Sequence, residues 1–363
     1  MRSSNLAALE VLVDAGLPTI IWGPPGVGKT STIKAIAAAR SIALEVVIAS
    51  IREPSDFAGL PIKVGDGVRF APPQWALNIA EKGSGIVFYD EISSAPPSVQ
   101  AALLRPILDG FVGDLQLPST VITLAAANYT DLAAGGWDLT LPLANRFVHL
   151  DWSVDPIEIA EGFSTGWNEP LANPGFHLDK NEISKALATV GSFIATRPDL
   201  VLLLPSDSDD RRAFPTPRSW EMAARILAAS DRAKIPSSLR LKLLKGCVGN
   251  GPAIELEAFL GQIEEVTPDE VLENPDKVSI PNGRSDLVHV VLSAATSKVR
   301  ASEDQRDWLA LGRLIERIIE LGYVDVALHS AKVWMALRPK GAVPPTSTIR
   351  ALGPIMAAIS DDR

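Results

Sequence analysis

Leu6, Leu9 and Leu12 or Val13 fall on one side of a 3.6-residue repeat, so residues 5–16 are predicted to form a short amphipathic helix. Gly16 and Pro18 punctuate it, and the continuous apolar run Pro18-Thr-Ile-Ile-Trp22 then predicts a buried strand. Helical spacing returns over 29–40, and a second strand is expected at 43–49. The run Ile62–Phe70, broken by Gly65-Asp66-Gly67, predicts a hairpin, and a second hairpin is expected at 111–117 around Gly113-Asp114. Further strands are predicted at 86–89, 121–127 and 148–150, with a helix at 99–108 behind the Pro96-Pro97 start. Strands alternating with helices imply a parallel sheet covered on both faces.

Past residue 152 the strand signal fades. Helical patterns cover 180–196, 218–232, 237–248, 252–263, 285–298 and 304–336. Pro205–Pro217 is predicted as a linker or long loop, and Val266–Asn282, with Pro268, Pro275 and Pro281, as a second boundary. The stripe of Trp308, Leu311, Ile315, Ile318 and Ile319 is expected to be core.

Composition narrows the class. A chain of 363 residues is expected to hold two or three domains, and 47% hydrophobic with 21% charged residues is globular. The single cysteine, Cys247, cannot make an internal disulfide, which suits a reducing, cytoplasmic setting. His149, His177, His289 and His329 are scattered, so no zinc cluster or Ser-His-Asp arrangement is expected. The N-terminus shows no signal-peptide pattern, and no apolar run approaches the ~20 residues of a membrane span. A net charge of −9 weighs against a broad phosphate-backbone surface, although a local basic strip would escape that argument.

The chemistry-bearing motif is Gly23-Pro24-Pro25-Gly26-Val27-Gly28-Lys29-Thr30, followed by Ser31. It fits G-x-x-x-x-G-K-[ST] between a predicted strand and a predicted helix. Glycines there let backbone N–H groups wrap phosphates, with the helix dipole aimed at them. Lys29 would neutralise the β/γ oxygens of ATP, and Thr30 would offer a hydroxyl to Mg²⁺. The plainer alternative is a glycine turn. Downstream, Ile86-Val-Phe-Tyr-Asp90-Glu91 is an apolar strand ending in two acids. Asp90 is expected to hold Mg²⁺ and Glu91 to act as the base for water, the alternative being a cap of the next helix.

The strings Asp90–Leu104, Arg52–Pro61 and Leu141–Phe147 resemble the MoxR branch of AAA+ ATPases, over roughly residues 5–230. The resemblance implies an α/β P-loop core with an AAA+ parallel sheet flanked by helices (1–152). An α-helical lid (153–250) and a helical C-terminal extension (251–363) would follow. It also implies a homo-hexameric ring with shared active sites, and it matches the family's two hairpin insertions to those predicted above. Asn128 takes the position of sensor 1, Arg146 that of the arginine finger, and Arg218 that of sensor 2, which touches nucleotide in the same subunit. For Asn128 a turn role, and for Arg146 a surface ion pair, are the alternatives. Ser93-Ser94 replaces the family's common Asn-Arg, and Arg105 stands where an acid is more usual. The function implied is ATP hydrolysis driving remodelling or assembly of a protein client, and the partner the resemblance implies is a von Willebrand factor A-domain protein. Two rival classes stay open: a nucleic-acid motor of helicase or clamp-loader kind, and a nucleotide-controlled assembly switch. The acidic hairpin tips weigh against nucleic acid.

Overall fold

Strands and helices alternate through the first 151 residues as the apolar pattern predicts. In order they are α1 (Ser4–Asp14), β1 (Thr19–Trp22), α2 (Lys29–Ala39), β2 (Ala43–Ile48), α3 (Ser55–Ala58), β3 (Leu60–Val64) and β4 (Gly67–Ala71). Then come α4 (Gln74–Lys82), β5 (Gly85–Asp90), α5 (Pro97–Asp109), β6 (Phe111–Val112), β7 (Leu115–Gln116), β8 (Val121–Ala127), α6 (Leu141–Ala144) and β9 (Val148–Asp151). The computed structural model describes residues 4–129, 136–166, 175–206, 211–265, 268–278, 280, 285–302 and 304–360. Residues 207–210 of the predicted linker, and 266–267, 279 and 281–284 of the predicted second boundary, lie outside them.

Five strands make one parallel sheet in the order β2-β5-β8-β1-β9. Trp22 aligns with Ala127 on one side and Asp151 on the other, so three strands end level. Every residue of β1 is buried, as is β5 up to Tyr89, which is why both read as unbroken apolar runs. The core beneath them includes Ile20, Trp22, Val47, Phe57, Trp75, Tyr89, Leu103 and Phe147. Both hairpins are present, β3–β4 turning at Gly65-Asp66 and β6–β7 at Gly113-Asp114.

The remaining elements are helices: α7 (Pro156–Thr165), α8 (Lys180–Thr196), α9 (Pro217–Ala233), α10 (Ser237–Val248), α11 (Asn250–Glu265), α12 (Pro268–Glu273), α13 (Ser285–Ser302), α14 (Gln305–Glu320), α15 (Val324–Ala336) and α16 (Thr346–Ser360). Contacts group the chain into two compact units, Met1–Asp179 with Leu202–Ala253, and Lys180–Val201 with Ile254–Arg363. The helix expected over 304–336 is in fact two. Gly322, at φ 90°, ends the first in the left-handed conformation and lets α15 fold back on α14. α4, α7 and α16 were not anticipated. α4 is amphipathic, burying Trp75, Ala76 and Ile79, but its nine residues are too few for periodicity alone to declare a helix.

In the second unit, the predicted stripe is core: Trp308, Leu311, Ile315 and Ile318 are fully buried, and Ile319 packs against them in part. Trp308 and Trp334 stack at 4.7 Å between centroids, and each indole N–H donates to the other's backbone carbonyl at 2.8 Å. That reciprocity satisfies both buried polar edges, as close packing demands.

Candidate active site

Between β1 and α2 the chain must turn sharply and leave its amides exposed. Gly26 (φ 81°) and Gly28 (φ 90°) supply the left-handed backbone this requires, with open space where a side chain would stand. Gly28 is also the N-cap of α2, so the helix begins at Lys29 with its first amides facing the loop. The loop Gly23–Thr30 is thus an anion cradle. Lys29 is buried, and its ammonium donates to the carbonyls of Gly23 (2.6 Å) and Pro24 (2.9 Å) and to Asn128 Oδ1 (2.9 Å). Burial lowers its pKa below the ordinary lysine value, and the charge of Asp90 draws it back up.

The parallel order β5-β8-β1 carries the other groups to the same edge, because β5 ends in Asp90 and β8 leads into Asn128 beside the point where β1 leads into the loop. Thr30 Oγ1 donates to Asp90 Oδ2 at 2.7 Å. Glu91 adopts the left-handed conformation (φ 57°), which is strained for a non-glycine residue and typical of positions held for function. Asp90 Oδ1 accepts from the Glu91 amide at 3.0 Å, and Glu91 Oε2 accepts from Ser50 Oγ at 2.6 Å. Asn128, just past β8, faces Lys29, and its own amide donates to the buried Ser93 Oγ at 3.1 Å. Lys29, Thr30, Asp90, Glu91 and Asn128 therefore form one constellation.

Ser50 and Ser93 were missed by sequence reasoning. The register Ile48↔Asp90 carries the chain after β2 past the end of β5, which brings Ser50 to Glu91, but strand order is needed to see it. Ser93 read only as a departure from a family pattern. Here it anchors both the Asn128 amide and, through its carbonyl, the Trp137 amide at 2.7 Å. Beneath the loop, Trp22 stacks between Tyr129 and His149 (6.1 and 6.0 Å), with the Arg212 guanidinium 5.4 Å from its ring. Asp151 accepts from Tyr129 Oη (2.9 Å) and Arg212 (2.8 Å). Burial, then its own bond to Asp151 and that carboxylate's charge, push the Tyr129 phenol up to about 12, with Arg212 opposing.

Arg146 and Arg218 stand elsewhere. Both line a cleft of about 450 Å³ with Pro18, Val121 and Thr123, at the amino ends of β1 and β8. Burial and then the Arg218 charge lower the Arg146 pKa, with Asp109 opposing. Arg146 donates to the Pro142 carbonyl, while its Nε has no hydrogen-bond partner among the described residues. The expectation that Arg218 touches nucleotide in its own subunit is therefore corrected. Thr216, the N-cap of α9, donates to Asn145 Oδ1 at 3.0 Å, tying the first turn of α9 beside Arg146 instead. β8 spans seven residues. At ~3.3 Å per residue that puts roughly 20 Å between this cleft and the phosphate loop, beyond the reach of an arginine side chain.

The donor set fits a divalent cation: a hydroxyl and a carboxylate 2.7 Å apart beside an anion cradle suit a hard ion shared with phosphates. Among the described residues no cluster of three or more His, Cys, Asp or Glu side chains could hold a metal by itself. None of their helices is long and apolar enough to cross a membrane.

Sequence comparisons align with this geometry. The chain is 32% identical to ATPase family gene 2 protein homolog B of Rattus norvegicus over 136 residues, 35% of this chain and 17% of that protein. It is 31% identical to the Holliday junction branch migration complex subunit RuvB of Mycoplasma pneumoniae over 93 residues, 25% of this chain and 24% of that one. The match thus spans under a quarter of either relative's length. A solved structure of a candidate ATPase from Cytophaga hutchinsonii superposes with a TM-score of 0.43 at 17% identity, over 76% of this chain and 88% of that one. The profile of the ATPase family associated with various cellular activities matches residues 19–147, from the first residue of β1 to the threshold of β9. Residues 19–147 are an AAA ATPase-family domain, and the phosphate loop and the acids of β5 lie inside it.

Proposed function

We propose that the chain is an ATP-hydrolysing motor subunit of MoxR type that remodels or assembles a protein client, with each active site shared between neighbouring copies in a ring. The observation that carries this reading is the division of the site. The phosphate loop, the acids and Asn128 converge at the carboxyl edge of the sheet, while Arg146 and Arg218 converge at the amino edge.

Lys29 and the amides of the loop hold the phosphates, leaving its carbonyls and Asn128 for them as ATP enters. Thr30 and Asp90 would hold Mg²⁺, which when bound neutralises charge on the β/γ oxygens. Glu91 accepts the proton of the attacking water, and Asn128 orients that water from the next strand. Arg146 and Arg218, too far from the site of their own chain, reach the γ-phosphate of an adjacent subunit and stabilise charge there. The client, the ring number and a von Willebrand factor A-domain partner rest on the family resemblance, and a cytoplasmic location on the single cysteine.

Glu91→Gln is the direct test. ATP affinity should stay within a factor of two or so of wild type, and turnover should fall by at least about 100-fold, the usual contribution of a positioned base. Turnover at the wild-type rate would remove Glu91 from the mechanism.

A further inference from the structure

The two hairpins of the AAA domain are not equivalent. Every residue from Leu60 to Phe70 is exposed, and five of them are large and apolar: Leu60, Ile62, Val64, Val68 and Phe70. The β6–β7 hairpin is the opposite case, with Val112 fully buried and its turn pressed against the base of β3–β4. Asp114, in that turn, accepts from the Phe70 amide through Oδ2 at 2.9 Å and donates its own amide to the Phe70 carbonyl at 3.0 Å. Gly113 donates to the Phe57 carbonyl at 3.3 Å. Gly59 and Gly113 meet back to back: a Cβ on Gly59 would lie 2.8 Å from the Gly113 Cα, and one on Gly113 would lie 2.5 Å from the Phe70 carbonyl oxygen.

We infer that the β6–β7 hairpin is a bracket and not a second client-contacting finger, and that Asp114 is the positioning residue through which it sets the attitude of β3–β4. Only the longer hairpin is free to meet a partner. The bracket is fixed at its other end to the catalytic strand. α5 follows Asp90 and Glu91 after a single turn, and at its far end the Arg105 guanidinium lies 5.1 Å from the Phe111 ring of β6. On the opposite side, Phe57 packs edge-on to Tyr89, the residue before Asp90, at 6.0 Å. The base of β3–β4 is therefore held both by α3, whose Phe57 packs on the strand that ends at the acids, and by the β6–β7 turn, which α5 joins to them. A movement of those acids reaches the apolar hairpin through the Asp114 turn and Phe57 together, and loss of the Asp114 carboxylate leaves that turn holding the hairpin by its backbone amides alone.

The bracket itself does not depend on the proposed function; the link to nucleotide does, and the two can be tested apart. A dye attached through Asp66→Cys at the tip of β3–β4 reports hairpin mobility by anisotropy decay in the full chain, since the native Cys247 is buried. Without nucleotide, Asp114→Ala should loosen the tip and speed Phe70 amide exchange about tenfold, the worth of one such hydrogen bond. Asp114→Asn, which keeps an acceptor oxygen, should restore wild-type behaviour. Gly113→Ala, which forces the two turns apart, should reproduce the Ala phenotype, with circular dichroism confirming that each variant is folded. With ATP, the tip signal should change in wild type and in Asp114→Asn but not in Asp114→Ala, while the rate of hydrolysis is unaltered. Tip mobility and exchange equal in wild type, Asp114→Ala and Gly113→Ala would overturn the bracket. A tip that responds to Asp114→Ala but is blind to ATP even in wild type would leave the bracket standing and defeat the nucleotide reading instead.

Discussion

At the scale of single residues, the state of Glu91 is the most consequential detail. Its Oε2 accepts from the Ser50 hydroxyl at 2.6 Å, and Oε1 is left to accept from the attacking water. The bond holds the carboxylate in one attitude. Ser50→Ala should therefore lower ATP turnover, by no more than about tenfold if the bond is worth the usual ~1 kcal/mol, and leave ATP affinity unchanged. Steady-state hydrolysis with the variant checks this, and a rise in turnover would instead make Ser50 a restraint that catalysis has to break. Lys29, Thr30, Asp90 and Glu91 were legible from sequence because their spacing relative to a strand end is local. Ser50 and Ser93 were not, because their roles depend on which strands are neighbours, and Arg218 misled because one residue's place in a motif does not say which way its helix is docked.

At the scale of elements, the strands were the easiest to read, since β1, most of β5 and the second half of β8 are buried on both faces and read as nearly continuous apolar runs. In the second unit the periodicity gave α8 with both its boundaries and α13 with its start, but it did not separate α14 from α15. α14 and α15 read as one because the apolar stripe runs through the turn at Gly322. What fixes their angle is the paired tryptophans, a feature without any local signature. Gly312 on α14 lies against the Trp334 ring, where a Cβ would approach to 2.8 Å. Gly312→Ala should destabilise this helical pair by about 1–3 kcal/mol, the usual penalty for overpacking, despite alanine's better helix propensity. Urea unfolding followed by tryptophan fluorescence would register it, and a stabilised variant would show that the stack can shift.

At the scale of the whole molecule, the proposed sharing of the site between copies would make hydrolysis a property of the assembly. Arg146→Ala and Lys29→Ala should each be inactive alone, while an equal mixture should recover part of the wild-type rate, and wild-type specific activity should rise with protein concentration. Independence from concentration, with Arg146→Ala fully active, would mean that a single chain contains its whole site. Association brings a hazard of its own, because an apolar two-stranded ribbon in open solvent invites other chains to add to it. The ribbon here is blunted along both margins. Phe70 turns its backbone N–H and C=O outward to Asp114, and Pro61, its partner across the ribbon, has no N–H to offer on the other margin. Fibre-like strand addition is thereby denied its template at this point, while the side chains of Leu60, Ile62 and Val64 remain available. The same two residues that shape the ribbon thus help keep a sticky surface soluble, so Pro61→Val should raise light scattering in concentrated solution even where folding and hydrolysis are intact.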